Sequence, residues 1–294
     1  MEKSIKKIYF LPQCYYNYSM DINLVYNEDC LATMQKMPDN FVSLTVTSPP
    51  YDDLRTYNNK VKGLTSTFNG YSFDFENIAR ELYRVTKDGG VVVWVVGDAT
   101  HNGSETGTSF RQALFFKEIG LNIHDTMIYM KNNFANPSNN RYHQIFEYMF
   151  ILSKGKPAVF NPIKDRKNVY GGQVGSWGKN TVRQKDGSMK ENTKKVIEEY
   201  GQRYNVWTYK TSKNGQEDEL AYQHPAIFPI DLVKDHITSW TKEGDLVYDC
   251  FMGSGTTAKA AMLLGRQWVG SEINEEYIDL CNRRLESVQT QISI

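Results

Sequence analysis

The chain has 294 residues, a length that predicts one large domain or one domain with a sizeable insertion. Apolar residues make up 40% of the sequence and charged residues 23%, a composition that excludes a disordered protein. Lysine and arginine together number 34, as do aspartate and glutamate, and the resulting net charge of zero excludes a uniformly basic coat for nucleic acid.

Residues 1–20 are predicted to form an N-terminal extension. They contain no apolar core long enough for a signal peptide, and no apolar run in the chain approaches the roughly 20 residues of a membrane-spanning helix. The cysteines at positions 14, 30, 250 and 281 have neither metal-ligand spacing nor paired spacing. We therefore expect a cytoplasmic protein with no metal site and no membrane partner.

Segments with the patterns of strands and helices alternate along most of the chain. Seven apolar runs predict strands at Ile22–Tyr26, Val42–Thr47, Val91–Val96, Asn122–Met130, Glu147–Leu152, Leu246–Cys250 and Gln267–Ser271. Helical patterns lie at Cys30–Met37, Phe75–Thr86, Phe110–Ile119, Ile230–Trp240, Thr256–Leu264 and Glu275–Val288. Runs that are apolar at every position are typical of strands covered on both faces. The alternation predicts an α/β fold with a mostly parallel, doubly wound sheet.

The stretch 155–220 interrupts this alternation. Its several glycines and weak apolar periodicity predict an irregular insertion, and irregular segments of this length are usually functional. Between Phe160 and Gly215, twelve lysines and arginines accompany five aspartates and glutamates, an excess of seven positive charges. Aromatic residues such as Trp177 and Tyr204 are interleaved with them. Two interpretations stay open: a solvated insertion with a minor aromatic core, or an arm that lies on a polyanion.

A glycine-rich turn, Asp249–Thr257, follows one predicted strand and opens the next predicted helix. The glycines at 253 and 255 let the backbone turn tightly and approach a ligand closely. Glu272 ends the next strand, where a carboxylate can accept hydrogen bonds from both hydroxyls of a ribose. The turn lacks the Gly-Lys-Ser/Thr ending of a phosphate loop, and Ala258 replaces the third glycine of a dinucleotide fingerprint, which disfavours NAD without excluding it. An ordinary strand-to-helix turn is the alternative.

A second motif, Ser48-Pro49-Pro50-Tyr51, follows the predicted strand Val42–Thr47. Two prolines fix φ and remove two backbone donors, so the carbonyl groups of Ser48 and Pro49 remain as acceptors in a rigid geometry. Together with the Ser48 hydroxyl they form a small polar cup beside the flat ring of Tyr51. Such a cup fits a planar base with an exocyclic amine. The alternative is a rigid loop that merely leaves the strand.

The two motifs together resemble those of the amino-group DNA methyltransferases, which use S-adenosylmethionine. The family's catalytic motif, Asp/Asn/Ser-Pro-Pro-aromatic, is matched by Ser48–Tyr51, and its Phe-x-Gly-x-Gly cofactor motif by Phe251–Gly255. The order of the motifs resembles the β group of the family, in which the segment between them recognises the target. The resemblance extends from about Asp21 to Leu285 and implies a methyltransferase fold that acts on double-stranded DNA.

The resemblance also implies roles for individual residues. Asn27–Leu31 is similar to the family's Gly-Asp-Cys-Leu segment, whose aspartate receives the adenine amine of the cofactor. His224–Pro229 is similar to a segment beside the methionine part of the cofactor, although Phe228 stands where many members have lysine. The residues implied to bind the cofactor are Asp29, Cys30, His224, Phe228, Asp249, Phe251, Gly253, Gly255, Thr256 and Glu272. Helix capping by Asp29 and an ordinary loop role for His224 are the alternatives.

The resemblance divides the chain into the extension 1–20, a catalytic half 21–154, a target-recognition insertion 155–220 and a cofactor-binding half 221–294. In the insertion we expect six basic residues to contact DNA: Lys164, Arg166, Lys167, Lys179, Arg183 and Lys185. The target base must be flipped out of the duplex. A restriction endonuclease that acts on the same site is a further partner suggested by the resemblance.

The first residue of the catalytic motif favours cytosine N4 as the methylated atom. In the resembling family, aspartate there is typical of adenine-N6 enzymes and serine is more typical of cytosine-N4 enzymes. Serine both donates and accepts hydrogen bonds, so Ser48 can accept from the amine or hold cytosine N3. Methylation of cytosine C5 needs a cysteine nucleophile, usually in Pro-Cys, which the sequence lacks. Adenine N6 methylation is the first alternative, and an NAD-dependent oxidoreductase and a binding-only protein of this fold are the others.

Overall fold

The computed structural model describes residues 20–50, 73–134, 137, 139–174, 181–191, 196–210 and 229–292. Four predicted site residues lie outside these ranges: Tyr51, Lys179, His224 and Phe228. Within the described ranges, the helices are all too short or too polar to cross a membrane. The same ranges contain no group of three or more His, Cys, Asp and Glu residues that could hold a metal ion.

The described residues form strands and helices close to the predicted positions. The strands are β1 Leu24–Asn27, β2 Val42–Thr47, β3 Thr86–Val96, β4 Thr100–His101, β5 Ser104–Glu105, β6 Asn122–Lys131, β7 Phe146–Ser153, β8 Arg166–Lys167, β9 Thr181–Arg183, β10 Met189–Glu191, β11 Tyr200–Gly201, β12 Val206–Tyr209, β13 Leu246–Asp249 and β14 Gln267–Glu272. The helices are α1 Cys30–Lys36, α2 Phe75–Val85, α3 Thr108–Glu118, α4 Ile230–Trp240, α5 Thr256–Leu263 and α6 Glu275–Ile292. Each predicted strand and helix is present, with its ends shifted by at most a few residues.

The central sheet has eight strands in the order β1-β14-β13-β2-β3-β7-β6-β12. Neighbours are parallel except at β7, which runs antiparallel to β3 and to β6. The prediction of a mostly parallel α/β sheet is therefore confirmed.

One strand of this sheet was not predicted. Val206–Tyr209, which forms β12, lies in the stretch 155–220 and pairs with Ile128–Lys131 of β6. Its sequence, Val-Trp-Thr-Tyr, consists of residues that favour strands. Basic and polar residues dominate the composition of the surrounding stretch, so a strand pattern of only four residues does not stand out from it.

Helices pack against both faces of the sheet, as the burial of Val91–Val96 shows. The even-numbered residues of this run belong to an apolar cluster shared with α1, α2 and α3. The odd-numbered ones are equally buried but lie outside that cluster. Because successive side chains of a strand point to opposite faces, the run is covered on both sides. The helices α4, α5 and α6 also contact the sheet.

The chain separates into two compact units. One contains the central sheet and its helices, and the other spans Pro162–Asn205. In the second unit, β8 pairs with β11 and β9 pairs with β10, both antiparallel. This unit lies inside the predicted insertion 155–220 and is shorter than it.

Candidate active site

The described site residues that were predicted in the first unit gather at one edge of the sheet. The strands β1, β14, β13 and β2 are consecutive parallel neighbours, so their carboxyl ends meet at the same edge. Asp29 follows β1, Glu272 ends β14, Asp249 ends β13 and Ser48 follows β2. Ligands of open α/β sheets bind in the crevice outside these ends. The fold thus brings together residues that are more than 200 positions apart in the sequence.

The glycine-rich turn has a backbone that requires its glycines. Gly255 has a φ of +83° and forms the N-cap of α5. A Cβ atom there would lie 2.3 Å from the Sγ atom of Cys281 on α6. The turn is also joined to the neighbouring strand, because the Met252 amide donates to the Ser271 carbonyl at 2.9 Å. The predicted tight turn is therefore a packed, well-defined loop.

Glu272 braces this turn from the end of β14. Its Oε2 accepts from the amide of Gly253 at 2.8 Å, and its Oε1 accepts from the amide of Asn274 at 2.9 Å. Burial raises the pKa of Glu272 to about 7. Each carboxylate oxygen has a second lone pair, so the same group can also accept from ribose hydroxyls.

Glu272→Gln is expected to flatten the dependence of folding stability on pH between about 4.5 and 7. The folded-state pKa of about 7 lies above the ordinary glutamate value of the unfolded chain. The folded chain therefore binds more protons in this window, and the free energy of unfolding falls by about 3 kcal/mol as the pH rises through it. Above about pH 7 this contribution stays constant. Glutamine has no titratable proton, so the variant lacks this pH-dependent contribution to stability.

Urea unfolding of both chains between pH 4.5 and 8 measures the two slopes. Glutamine offers one acceptor oxygen to two amide donors, so the stability of the variant should be lower throughout. The comparison therefore uses the slope of the free energy of unfolding against pH and not its absolute value. Equal slopes in the two chains would mean that Glu272 titrates near its ordinary pKa.

Asp249 joins the turn to the strand that precedes the catalytic motif. Its Oδ1 accepts from the Thr47 hydroxyl at 2.7 Å and from the Phe251 amide at 3.0 Å. Its Oδ2 accepts from the Thr257 hydroxyl at 2.6 Å. Burial raises the pKa of this carboxyl. Because Thr47 directly precedes Ser48, one buried side chain holds the catalytic segment, the turn and α5 together. A cofactor contact by Asp249 stays a prediction.

Arg284 supports the turn from α6 and was not predicted. Its side chain is buried, and Nη1 donates to the carbonyl and the hydroxyl of Ser254 and to the hydroxyl of Thr256. A sequence signal existed, because Arg284 lies on the same helical stripe as the buried residues Cys281 and Val288. An arginine in an apolar stripe indicates a buried polar partner.

Asp29 and Cys30 lie at the start of α1, beside the end of β1. Asp29 caps this helix, with Oδ1 accepting from the Leu31 amide at 2.8 Å, as the capping alternative predicted. Its contact with the adenine amine stays a prediction. Cys30 is buried, and burial raises its pKa to about 12. Burial also raises the pKa of Cys250 and of Cys281, so the described cysteines are poor nucleophiles at neutral pH.

Aromatic rings lie beside the turn. The half-buried ring of Phe251 makes an edge contact with Phe73, with centroids 5.4 Å apart. It makes a second edge contact with Trp94 at 6.4 Å. At the end of β2, Pro49 is buried, and Ser48 and Pro50 are half-buried. The site therefore combines an apolar wall with polar acceptors.

This arrangement fits a nucleoside cofactor. A ribose presents two hydroxyl donors, which match the carboxylate of Glu272. A flat base matches the exposed part of the Phe251 ring. Because the glycines of the turn have no side chains, a ligand can approach its main-chain groups closely.

The basic residues of the second unit fall into two groups. Lys164 forms an ion pair with Glu198 at 2.7 Å, and the guanidinium of Arg166 stacks on the ring of Tyr204, 4.7 Å from its centroid. The other described members of the predicted DNA-binding set are Lys167, Arg183 and Lys185, which are exposed. Their side chains have no hydrogen-bond or ion-pair partner among the residues that the structure describes. DNA contacts by either group stay predictions.

Comparisons with known proteins agree with these features. The sequence model of a family described as DNA methylase, which covers N6 and N4 methyltransferases, matches residues 42–283. The orphan methyltransferase M.BamHII of Bacillus amyloliquefaciens is 54% identical over 259 residues, which cover 86% of this chain and 92% of the relative. The type II methyltransferase M.Cfr9I of Citrobacter freundii is 26% identical over 303 residues, which cover 91% of this chain and 89% of that protein.

Two solved structures share the fold. The PvuII DNA methyltransferase, described as cytosine-N4-specific, superposes on this chain with a TM-score of 0.61 at 18% identity. The aligned residues cover 90% of this chain and 89% of the PvuII chain. The complex of M1.HpyAVI with S-adenosylmethionine superposes with a TM-score of 0.54 at 20% identity. The aligned residues cover 88% of this chain and 98% of the M1.HpyAVI chain. At these identities the likeness concerns the fold alone.

Proposed function

This chain belongs to the N6/N4 DNA methylase family, and from this premise we propose that it methylates the N4 amine of cytosine in double-stranded DNA. S-adenosylmethionine is the methyl donor of this family. The observation that carries the choice of base is the serine at the head of Ser48-Pro49-Pro50, at the end of a strand joined to the cofactor turn. Family membership leaves no support for the oxidoreductase alternative.

The donor, when bound, supplies an electrophilic methyl group. The carboxylate of Glu272 would hold its ribose, the turn 253–255 would lie beside it, and the ring of Phe251 would contact its base. Asp249 and Arg284 keep the turn in place through their hydrogen bonds. These residues contribute mainly alignment, which supplies much of the acceleration in a transfer between two bound molecules.

Ser48 and Pro49 act on the nitrogen that receives the methyl group. The lone pair of an exocyclic amine is delocalised into the ring of the base. When the Ser48 oxygen and the Pro49 carbonyl accept the two N–H groups, the nitrogen becomes more pyramidal and its lone pair is directed away from the ring. Positive charge develops on the nitrogen as the methyl group passes from the sulfonium, which would leave as a neutral thioether. These acceptors stabilise the charge until one proton of the nitrogen passes to solvent water.

The described cysteines favour amine methylation over methylation at carbon. A C5 mechanism needs a thiolate that adds to the cytosine ring. Cys30, Cys250 and Cys281 are buried, and burial raises the pKa of each thiol. An adenine amine fits the same acceptors, and adenine N6 methylation is the second candidate because the family model covers both chemistries.

The identity of the methylated nucleoside tests the base assignment. Duplex DNA is incubated with the chain and an isotope-labelled methyl donor, digested to nucleosides and examined by mass spectrometry, with a donor-free reaction as the control. We expect labelled N4-methylcytosine. Labelled N6-methyladenine alone would overturn the base assignment and keep the amine mechanism.

A restriction endonuclease of the same specificity is the cellular partner we propose. Its support is that several relatives, among them M.Cfr9I, are named type II methyltransferases. The relative at 54% identity is named an orphan methyltransferase.

A further inference from the structure

The segment Thr181–Glu191 of the second unit forms a regular β-hairpin. β9 and β10 pair antiparallel, with Arg183 opposite Met189 and Val182 opposite Lys190. The Gln184 amide donates to the Ser188 carbonyl at 2.7 Å, and Gly187 closes the turn with a φ of +84°. This is the three-residue type of hairpin loop, in which glycine takes the left-handed position. The Asp-Gly pair in its turn is a sequence signal for this hairpin, which was not among the predicted elements.

The turn is stiffened by a side chain of its own. Asp186 accepts from the Ser188 amide at 2.9 Å and from the Ser188 hydroxyl at 2.7 Å. These hydrogen bonds lower the pKa of Asp186, so its carboxylate stays ionised and bonded within the turn. The carboxylate of Asp186, at the tip of the hairpin, is therefore hydrogen-bonded within the turn itself.

The hairpin is exposed to an unusual degree. Each residue from Arg183 to Lys190 is exposed, and the apolar side chain of Met189 is 61% exposed. An isolated two-stranded hairpin is at best marginally stable, and packing usually has to support it. Within the described part of the chain, nothing covers these residues. A ligand surface explains both the exposure and the exposed methionine.

The charges of the hairpin also differ from several others in the second unit. The side chains of Arg183, Lys185 and Lys190 have no hydrogen-bond, ion-pair or ring partner among the described residues. In contrast, Lys164 pairs with Glu198 and Arg203 pairs with Asp165. The cations that are available for a polyanion therefore include the three on the hairpin.

A two-stranded ribbon fits the major groove of B-DNA, which is about 12 Å wide and also admits an α-helix. Directly opposite residues on antiparallel strands share one face, so Arg183 and Met189 project from the same side. Arginine is the commonest reader of guanine in this groove, and apolar groups contact the methyl group of thymine. The pair therefore offers chemistry for base edges, whereas lysines are suited to phosphates.

We propose, on the basis of the proposed function, that the hairpin Thr181–Glu191 enters the major groove of the DNA substrate. Arg183 and Met189 contact base edges there, and Lys185 and Lys190 contact phosphates. The hairpin is thus the element of the second unit that determines which sequence is methylated.

Arg183→Ala is expected to relax the sequence specificity of methylation. Wild-type and variant chains are expressed in a host that lacks DNA methylation, and the sequence contexts of the modified bases are mapped. One position that the wild type requires to be guanine should accept other bases, with discrimination reduced about 10- to 100-fold. Arg203→Ala, which removes an arginine of the same unit that is ion-paired with Asp165, is the matched control and should leave the contexts unchanged.

Lys185→Gln with Lys190→Gln should reduce the salt dependence of DNA affinity. Each phosphate contact adds about 0.9 to the slope of log affinity against log salt, so the slope should fall by nearly 2. Fluorescence anisotropy with a duplex of the mapped context measures it. Affinity of the variants for S-adenosylmethionine, measured by calorimetry, should match the wild type and shows that the first unit is folded.

The outcomes separate this proposal from the proposed function. A wild-type chain that modifies no base would overturn the proposed function. A wild-type chain that methylates DNA, combined with unchanged contexts and an unchanged salt slope in the hairpin variants, would overturn the hairpin proposal alone.

Discussion

Ser48→Ala is expected to lower the rate of methyl transfer by about 10²–10³-fold, the usual effect of removing one hydrogen bond that stabilises developing charge. The Kd for S-adenosylmethionine should stay the same, because the residues proposed to hold the donor lie on β13, β14 and the turn between β13 and α5. The loss should therefore appear in turnover and not in cofactor affinity.

Single-turnover assays with a labelled methyl donor measure the rate, and calorimetry measures the Kd. Ser43→Ala is the matched control, since Ser43 lies on the same strand at the opposite end and its hydroxyl donates to Asp245. This control should transfer methyl groups at the wild-type rate. Full activity in Ser48→Ala would reject the role of the hydroxyl and leave the Pro49 carbonyl as the principal acceptor.

Gly255→Ala is expected to reduce folding stability by about 2–5 kcal/mol and to weaken the binding of S-adenosylmethionine. Alanine is strained at a φ of +83°, and its Cβ would lie 2.3 Å from the Cys281 Sγ atom. Cys281 is fully buried and has little room to move. Relief of the contact must therefore shift the turn or α6, and both support the proposed cofactor site.

Gly244→Ala separates the two causes, because Gly244 has a φ of +81° and its Cβ would meet no atom within 4 Å. Its cost should be the backbone strain alone, about 1–2 kcal/mol, with unchanged cofactor affinity. Adding Cys281→Ala to Gly255→Ala removes the Sγ atom and should recover part of the lost stability. Urea unfolding measures all four chains. Equal losses at both glycines would show that the contact with α6 is unimportant.

The elements of the sheet and the order of its motifs could be predicted from the sequence. The apolar residues of runs such as Val91–Val96 predict that these strands are buried, and the glycines of Asp249–Thr257 predict a tight turn. The positions of Ser48 and Glu272 at one edge of the sheet follow from the same reasoning, because both end strands of a parallel sheet.

Three features could not be predicted in this way, and each depends on a partner far away in the chain. β12 forms because its four residues find an open edge on β6. The role of Asp249 depends on Thr47, 202 positions earlier. The pairing of Lys164 depends on Glu198, which reduces its availability to DNA.

The sequence by itself therefore determined the fold class and the family, since these depend on local patterns of residue type. The tertiary structure alone decided which polar groups support the site and which remain free for a ligand. The Arg284 side chain braces the turn, and the Arg183 side chain has no partner among the described residues, although both residues are arginines. The physical reason is that hydrogen bonds and ion pairs are short-range contacts, and only the folded chain determines which groups come within reach of one another.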